Sequence, residues 1–131
     1  MNNVLKGYIF SRTFMGERVP QSVQNLLLRD YCKRKKYNFH LSSVEYCIEN
    51  SFMHLNNLVN NLEKYDGIIA YSLFQLPKDP NVRKKLLIKI VNNKKTFHCA
   101  IENIIIKDIN TIEKINDIWS IKQTILSEEE A

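Results

Sequence analysis

A chain of 131 residues, 44% hydrophobic and 25% charged, is the size of one domain and long enough to bury a core. No apolar run approaches the roughly 20 residues that cross a bilayer, and Met1–Lys6 lacks the basic and apolar segments of a secretory signal, so membrane insertion is excluded and a cytoplasmic protein is expected. Cys32, Cys47 and Cys99 have no close spacing to one another or to His40, His54 and His98, which argues against a disulfide framework and a zinc site; no metal or cofactor is expected.

The elements alternate along the chain. Leu5–Phe10 is short, apolar and aromatic, and reads as a first buried strand. Ser22 is a suitable N-cap for a helix with apolar positions Val23, Leu26, Leu27 and Tyr31 at helical spacing. Its basic end, Lys33-Arg34-Lys35-Lys36, complements the helix dipole. Tyr37–Leu41 is a second strand, and Ser42–Asn50 reads as a loop, although Val44–Ile48 could extend or distort the strand.

A second helix is predicted from about residue 51 to 64, burying Phe52, Leu55, Leu58, Val59 and Leu62. Gly67–Ser72 is the clearest strand, since a nearly continuous apolar run suits a parallel strand covered on both faces. Asp79-Pro80 is an N-cap followed by proline in the first turn, and Val82, Leu86, Leu87 and Ile90 form that helix's inward face. Thr96–Ile101 is a fourth strand and Ile104–Ile106 a short fifth. Asn110 caps a last helix carrying Ile112, Ile115, Ile118 and Trp119, and the acidic tail 127–131 is expected to fray.

Residues 1–126 therefore read as a single α/β domain. It is a three-layer fold with a mainly parallel, four- to five-stranded sheet and helices on both faces. In such sheets, sites form beyond the carboxyl ends of the strands. That rule gathers Ser11, Arg12 and Arg18 after the first strand, with Gln21 and Gln24 at the following helix. It adds Ser42, Ser43, Glu45 and Tyr46 after the second, Tyr71, Ser72 and Gln75 after the third, and Glu102 and Asn103 after the fourth.

Arginines beside a helix N-terminus suit phosphate or carboxylate; the alternative is that Arg18 pairs with Glu17 or Glu45 and fixes the loop. Ser11 is a candidate nucleophile and Glu45 a candidate acid-base group, with Glu102 a second carboxylate for such a pair. Tyr46, Tyr71 and Phe74 could form an aromatic wall, and His98 suits a satisfied core imidazole. Phe14 and Met15, taken as exposed loop residues, are compatible with a homodimer. No Walker loop or G-x-G-x-x-G is present. The net charge of +5 is concentrated in Lys33–Lys36 and Arg83-Lys84-Lys85, which suits a solvated basic surface more than a nucleic-acid face.

Gly7-Tyr8-Ile9-Phe10-Ser11-Arg12, Arg18-Val19-Pro20-Gln21-Ser22-Val23-Gln24-Asn25 and Arg29-Asp30-Tyr31-Cys32 resemble the sporadic carbohydrate cluster proteins. Leu41–Tyr46, Asp66–Pro77 and Ile118-Trp119 extend that resemblance. These are small bacterial proteins encoded beside genes for surface-carbohydrate biosynthesis. The resemblance implies a role in surface polysaccharide or glycan biosynthesis, binding or modifying an anionic sugar intermediate such as a sugar phosphate or nucleotide-sugar. A non-catalytic partner of a carbohydrate-biosynthesis enzyme is the alternative.

The Gly-Tyr strand with its serine, the Gln-Ser-x-Gln helix start, the Leu-Arg-x-Tyr helix and the Asp-Gly-Ile-Ile strand are more remotely similar to the catalytic domain of serine recombinases. That similarity implies a resolvase-like, flavodoxin-related fold. Phe10 stands where the recombinase strand has an arginine, Arg12 stands at the nucleophile's position with Ser11 one residue early, and Leu73–Pro77 carries no arginine. Phosphoryl transfer needs cations on its developing charge, so these departures argue against strand cleavage.

Overall fold

The computed structural model describes residues 3–130, with the side chains of 127–130 outside the description. Strands β1 (Val4–Phe10), β2 (Asn38–Glu45), β3 (Gly67–Ala70), β4 (Thr96–Cys99) and β5 (Ile104–Ile106) form one sheet in the order β2-β1-β3-β4-β5. The first four run parallel, and β5 is antiparallel to β4. Helices α1 (Gln21–Lys35), α2 (Met53–Asn60), α3 (Pro80–Asn92) and α4 (Ile109–Glu130) connect or follow the strands. This is the expected α/β architecture.

Side chains alternate faces along a strand, and β1 divides accordingly. Leu5 and Ile9 pack with Leu28, Tyr31 and Cys32 of α1. Tyr8 and Phe10 face the larger core, which contains Leu55 and Leu58 of α2, Leu86, Leu87 and Ile90 of α3, and Ile112, Ile115 and Trp119 of α4. β3 is buried along its whole length, as its unbroken apolar run requires. Close strand packing also fixes Gly67, where an added Cβ would lie 2.4 Å from the Thr96 carbonyl oxygen. Gly67→Ala is therefore expected to cost about 2 kcal/mol by overpacking, measured by urea denaturation; an unchanged midpoint would refute the close-approach argument.

One helix start matches the sequence reading and three differ from it. Asp79 caps α3 as expected, accepting from Asn81 and Val82 N–H, with Pro80 in the first turn. α1 starts at Gln21 behind Pro20 without a side-chain cap, so Ser22 lies inside the first turn. α4 is capped by Asp108, which accepts the Thr111 N–H at 2.8 Å, rather than by Asn110. α2 is shorter than predicted and has no local cap. The expected frayed tail falls on residues whose side chains, and in Ala131 the backbone also, lie outside the description.

Arg83 departs from the expected solvated basic surface. It is 2% exposed and donates to the Pro77 and Lys78 carbonyls and to Asn116 Oδ1. Its guanidinium lies 4.8 Å from the Trp119 ring. Burial brings its pKa down to about 10, which leaves it charged at neutral pH while it ties the loop before α3 to α4.

Candidate functional site

The end of β2 carries a local irregularity that decides where its side chains point. Lys6 pairs with His40 but Tyr8 pairs with Ser43, so β2 contains one residue more than β1 over this stretch. This is a bulge, and a one-residue offset moves the following side chains to the opposite faces. Lys6 Nζ donates to the Leu41 carbonyl inside the bulge. Beyond it Glu45, rather than Val44, stands opposite Phe10 and is 1% exposed.

Glu45 accepts hydrogen bonds on both oxygens. Tyr8 Oη at 2.9 Å and Leu55 N–H at 3.1 Å reach Oε1; Tyr46 and His54 N–H reach Oε2 at 3.1 Å each. The carboxylate thus caps α2, supplying the acceptor that the helix lacks locally. Burial and the adjacent Glu45 carboxylate push the Tyr8 hydroxyl pKa far up, so Tyr8 remains a donor. This is a cap's geometry, with no lone acid poised in open space.

A second buried network joins the ends of β1 and β3. Gln24 accepts from Phe10 N–H at 3.0 Å and donates to the Phe10 and Val19 carbonyls at 2.9 and 2.8 Å. Gln75 donates to Gln24 Oε1 at 2.7 Å and accepts from Tyr71 and Ser72 N–H. Both amides are fully buried, and their hydrogen bonds hold backbone. Ser72 donates to Glu102 at 2.7 Å, and Glu102 also accepts the Leu73 N–H at 2.9 Å. Gln24, Ser72, Gln75 and Glu102 are therefore brought together, as expected, into a structural latch at the strand ends.

Ser11 and Arg12 stand at the mouth of this region. The Ser11 hydroxyl donates to the Glu45 carbonyl at 3.0 Å; no histidine or carboxylate side chain hydrogen-bonds it among the described residues. Arg12 donates to the Tyr46 carbonyl at 2.8 Å, and its guanidinium lies 4.1 Å from the Phe10 ring and 5.1 Å from the Phe52 ring. Such cation–π contacts contribute about 0.5–2 kcal/mol each and hold the cation beside an aromatic surface.

That surface lines a half-open cavity of about 340 Å³, bordered by Phe10, Phe14, Phe52, Phe74 and Trp119 and edged by Arg12, Glu49 and Lys78. A tight turn shapes one rim: Phe14 and Glu17 exchange backbone hydrogen bonds of 2.9 and 3.0 Å around Met15 and Gly16, both at positive φ. Gly16 suits that geometry; Met15 adopts it at a cost of about 1–2 kcal/mol while packing against the core. Phe14 and Met15 are half-buried rather than exposed. The Trp119 indole N–H is buried without a partner.

Other expected members lie elsewhere. Ser42 and Ser43 sit within β2, not in a loop beyond it; Ser42 donates to Asn25 and Ser43 borders a separate cleft with Lys6. Arg18 and Gln21 are exposed and do not line the cavity. Arg18 pairs with neither Glu17 nor Glu45, since Arg34–Asp30 is the one ion pair among the described residues. Tyr46 packs at a tilt against His54 and Tyr71 edge-to-face against Phe14, so only Phe74 of the expected aromatic wall reaches the cavity. His98 is the satisfied core imidazole expected. No group of three potential metal ligands occurs among the described residues, and no described helix is long and apolar enough to cross a membrane.

The sequence reading missed Phe52, Trp119 and Lys78 as cavity residues. Two were assigned to helix cores, and no linear spacing links loops 12–16, 49–52 and 74–78 to α4.

No protein-family model matches the sequence, and no curated relative does. Solved structures do share its fold. The N-terminal catalytic domain of TP901-1 integrase aligns at 18% identity with a TM-score of 0.64, covering 96% of this chain and 99% of that one. A resolvase family site-specific recombinase from Streptococcus pneumoniae aligns at 10% identity with a TM-score of 0.66, covering 96% and 93%. These likenesses correct the function expected from the carbohydrate-cluster resemblance: the neighbours are recombination proteins, and nothing among them supports surface-polysaccharide biosynthesis. The fold of this chain is resolvase-like.

Proposed function

We propose that this chain binds the phosphate backbone of nucleic acid and does not cleave it, which reverses the expectation drawn from its charge distribution. The reading is supported by a recombinase-type fold along nearly the whole chain and by a net charge of +5. The observation that carries the second half is the condition of the first strand's end. Ser11 is spent on a backbone carbonyl, Arg12 is held by Tyr46 and two aromatic rings, and Leu73–Pro77 supplies no arginine. A hydroxyl with neither a base nor converging cations lacks the electrostatic support that phosphoryl transfer needs. Exposed Arg18, close to the start of α1, is one available phosphate contact, and Arg12, which gives a single hydrogen bond among the described residues, is a second.

The test is fluorescence anisotropy with labelled oligonucleotides across 50–200 mM salt, followed by denaturing electrophoresis. Binding is expected to weaken with a log–log slope of roughly −2 to −4, as neutralising a few phosphates implies, with no covalent protein–DNA band. Absence of binding at the lowest salt by the folded protein, or a covalent band, would overturn the proposal.

A further inference from the structure

We infer that the aromatic cavity is a nucleotide subsite, taking an unstacked base between its rings with the attached phosphate at Arg12 and Lys78; this rests on the nucleic-acid reading above. Intact duplex keeps its bases stacked and presents only phosphates and groove edges, for which an aromatic hollow has no use. The hollow is nevertheless built. Its volume of about 340 Å³ falls within the range of small-ligand sites, about 300–1,000 Å³. The rings of Phe14, Phe52 and Phe74 are half-buried at its wall, and the buried Trp119 ring lies beneath, edge-to-face with Phe74 at 5.1 Å.

Charge decides what kind of planar group would enter. Among the described residues, two cations, Arg12 and Lys78, and one carboxylate, Glu49, edge the cavity, so a planar ligand with an attached anion is favoured over a neutral one. A base carrying a phosphate has both parts, and single-strand binding sites combine aromatic platforms with cations in the same way. The Trp119 indole N–H is the one buried side-chain polar group among the described residues without a partner.

Trp119 is the chain's single tryptophan, so its fluorescence reports on this wall alone. The experiment titrates the full chain with thymidine monophosphate, a 12-nucleotide single strand and the matching duplex, using the native protein, Phe52→Leu, Lys78→Ala and, as surface control, Lys107→Ala, an exposed lysine outside the basic runs and the cavity. Quenching by the single strand, with binding weakened about tenfold in Phe52→Leu, several-fold in Lys78→Ala and less than twofold in Lys107→Ala, is the expected result. Quenching by the mononucleotide as well assigns the subsite to nucleotides whether free or in a strand. Duplex binding that matches the single strand, leaves Trp119 emission unchanged and ignores Phe52→Leu overturns this inference while the backbone-binding reading survives. No binding by any of the three overturns both.

Discussion

Glu45→Ala is expected to lower stability by about 4 kcal/mol, the largest effect of any substitution considered for this chain. The carboxylate closes five backbone and side-chain donors: Tyr8 on β1, its own neighbour Tyr46, the Ser51 hydroxyl at 3.5 Å, and His54 and Leu55 at the start of α2. Loss of a helix cap alone costs about 1 kcal/mol. Each buried donor left without an acceptor adds about 1–3 kcal/mol, and the buried Tyr8 hydroxyl is such a donor. Glu45→Gln keeps one acceptor but turns an amide NH₂ toward N–H groups, so about half the loss is expected. Thermal unfolding followed by circular dichroism should show a midpoint lowered by about 15 °C for the alanine variant. A loss below 1 kcal/mol would mean that α2 and the end of β2 do not depend on this carboxylate.

Acidification is expected to remove up to about 3 kcal/mol of stability through His98. The imidazole is fully buried, with Tyr31 Oη 2.7 Å from Nδ1 and Thr96 Oγ1 2.9 Å from Nε2. Burial, and secondarily the charge of Lys35, bring its pKa from 6.5 down to about 4. The unfolded chain therefore takes up this proton first. The stabilisation is complete above pH 6.5 and is lost as pH falls from there through about 4. Urea denaturation from pH 4 to 8 should show that slope in the native protein and a shallower one in His98→Gln, whose side chain does not titrate. Parallel slopes in the two proteins would rule out His98 as the source.

Much of the fold is legible in the residues because it is dictated locally. The apolar run of β3 and the Asp79-Pro80 helix start depend on neighbours within a few positions, and the structure has both where expected. The role of Glu45 is not legible in this way. Its inward direction follows from an extra residue in β2, and that bulge is defined only by pairing with β1. The glutamines show a middle case. Gln24 and Gln75 were identified as polar groups at strand ends, but their mutual hydrogen bond across 51 positions makes them a latch on the backbone. Arg83 shows the reverse error: among lysines it looks solvated, yet it is buried against Trp119.

The sequence by itself determined the order of strands and helices, the parallel sheet they build and the strand ends where polar groups gather, since periodicity and local propensity act over short stretches of chain. Only the tertiary structure decided which of those groups are consumed in holding the fold, and that Phe10, Phe52, Phe74 and Trp119 border a hollow. Cavity walls and buried hydrogen bonds join residues far apart in the chain, and their geometry exists only after the layers have packed.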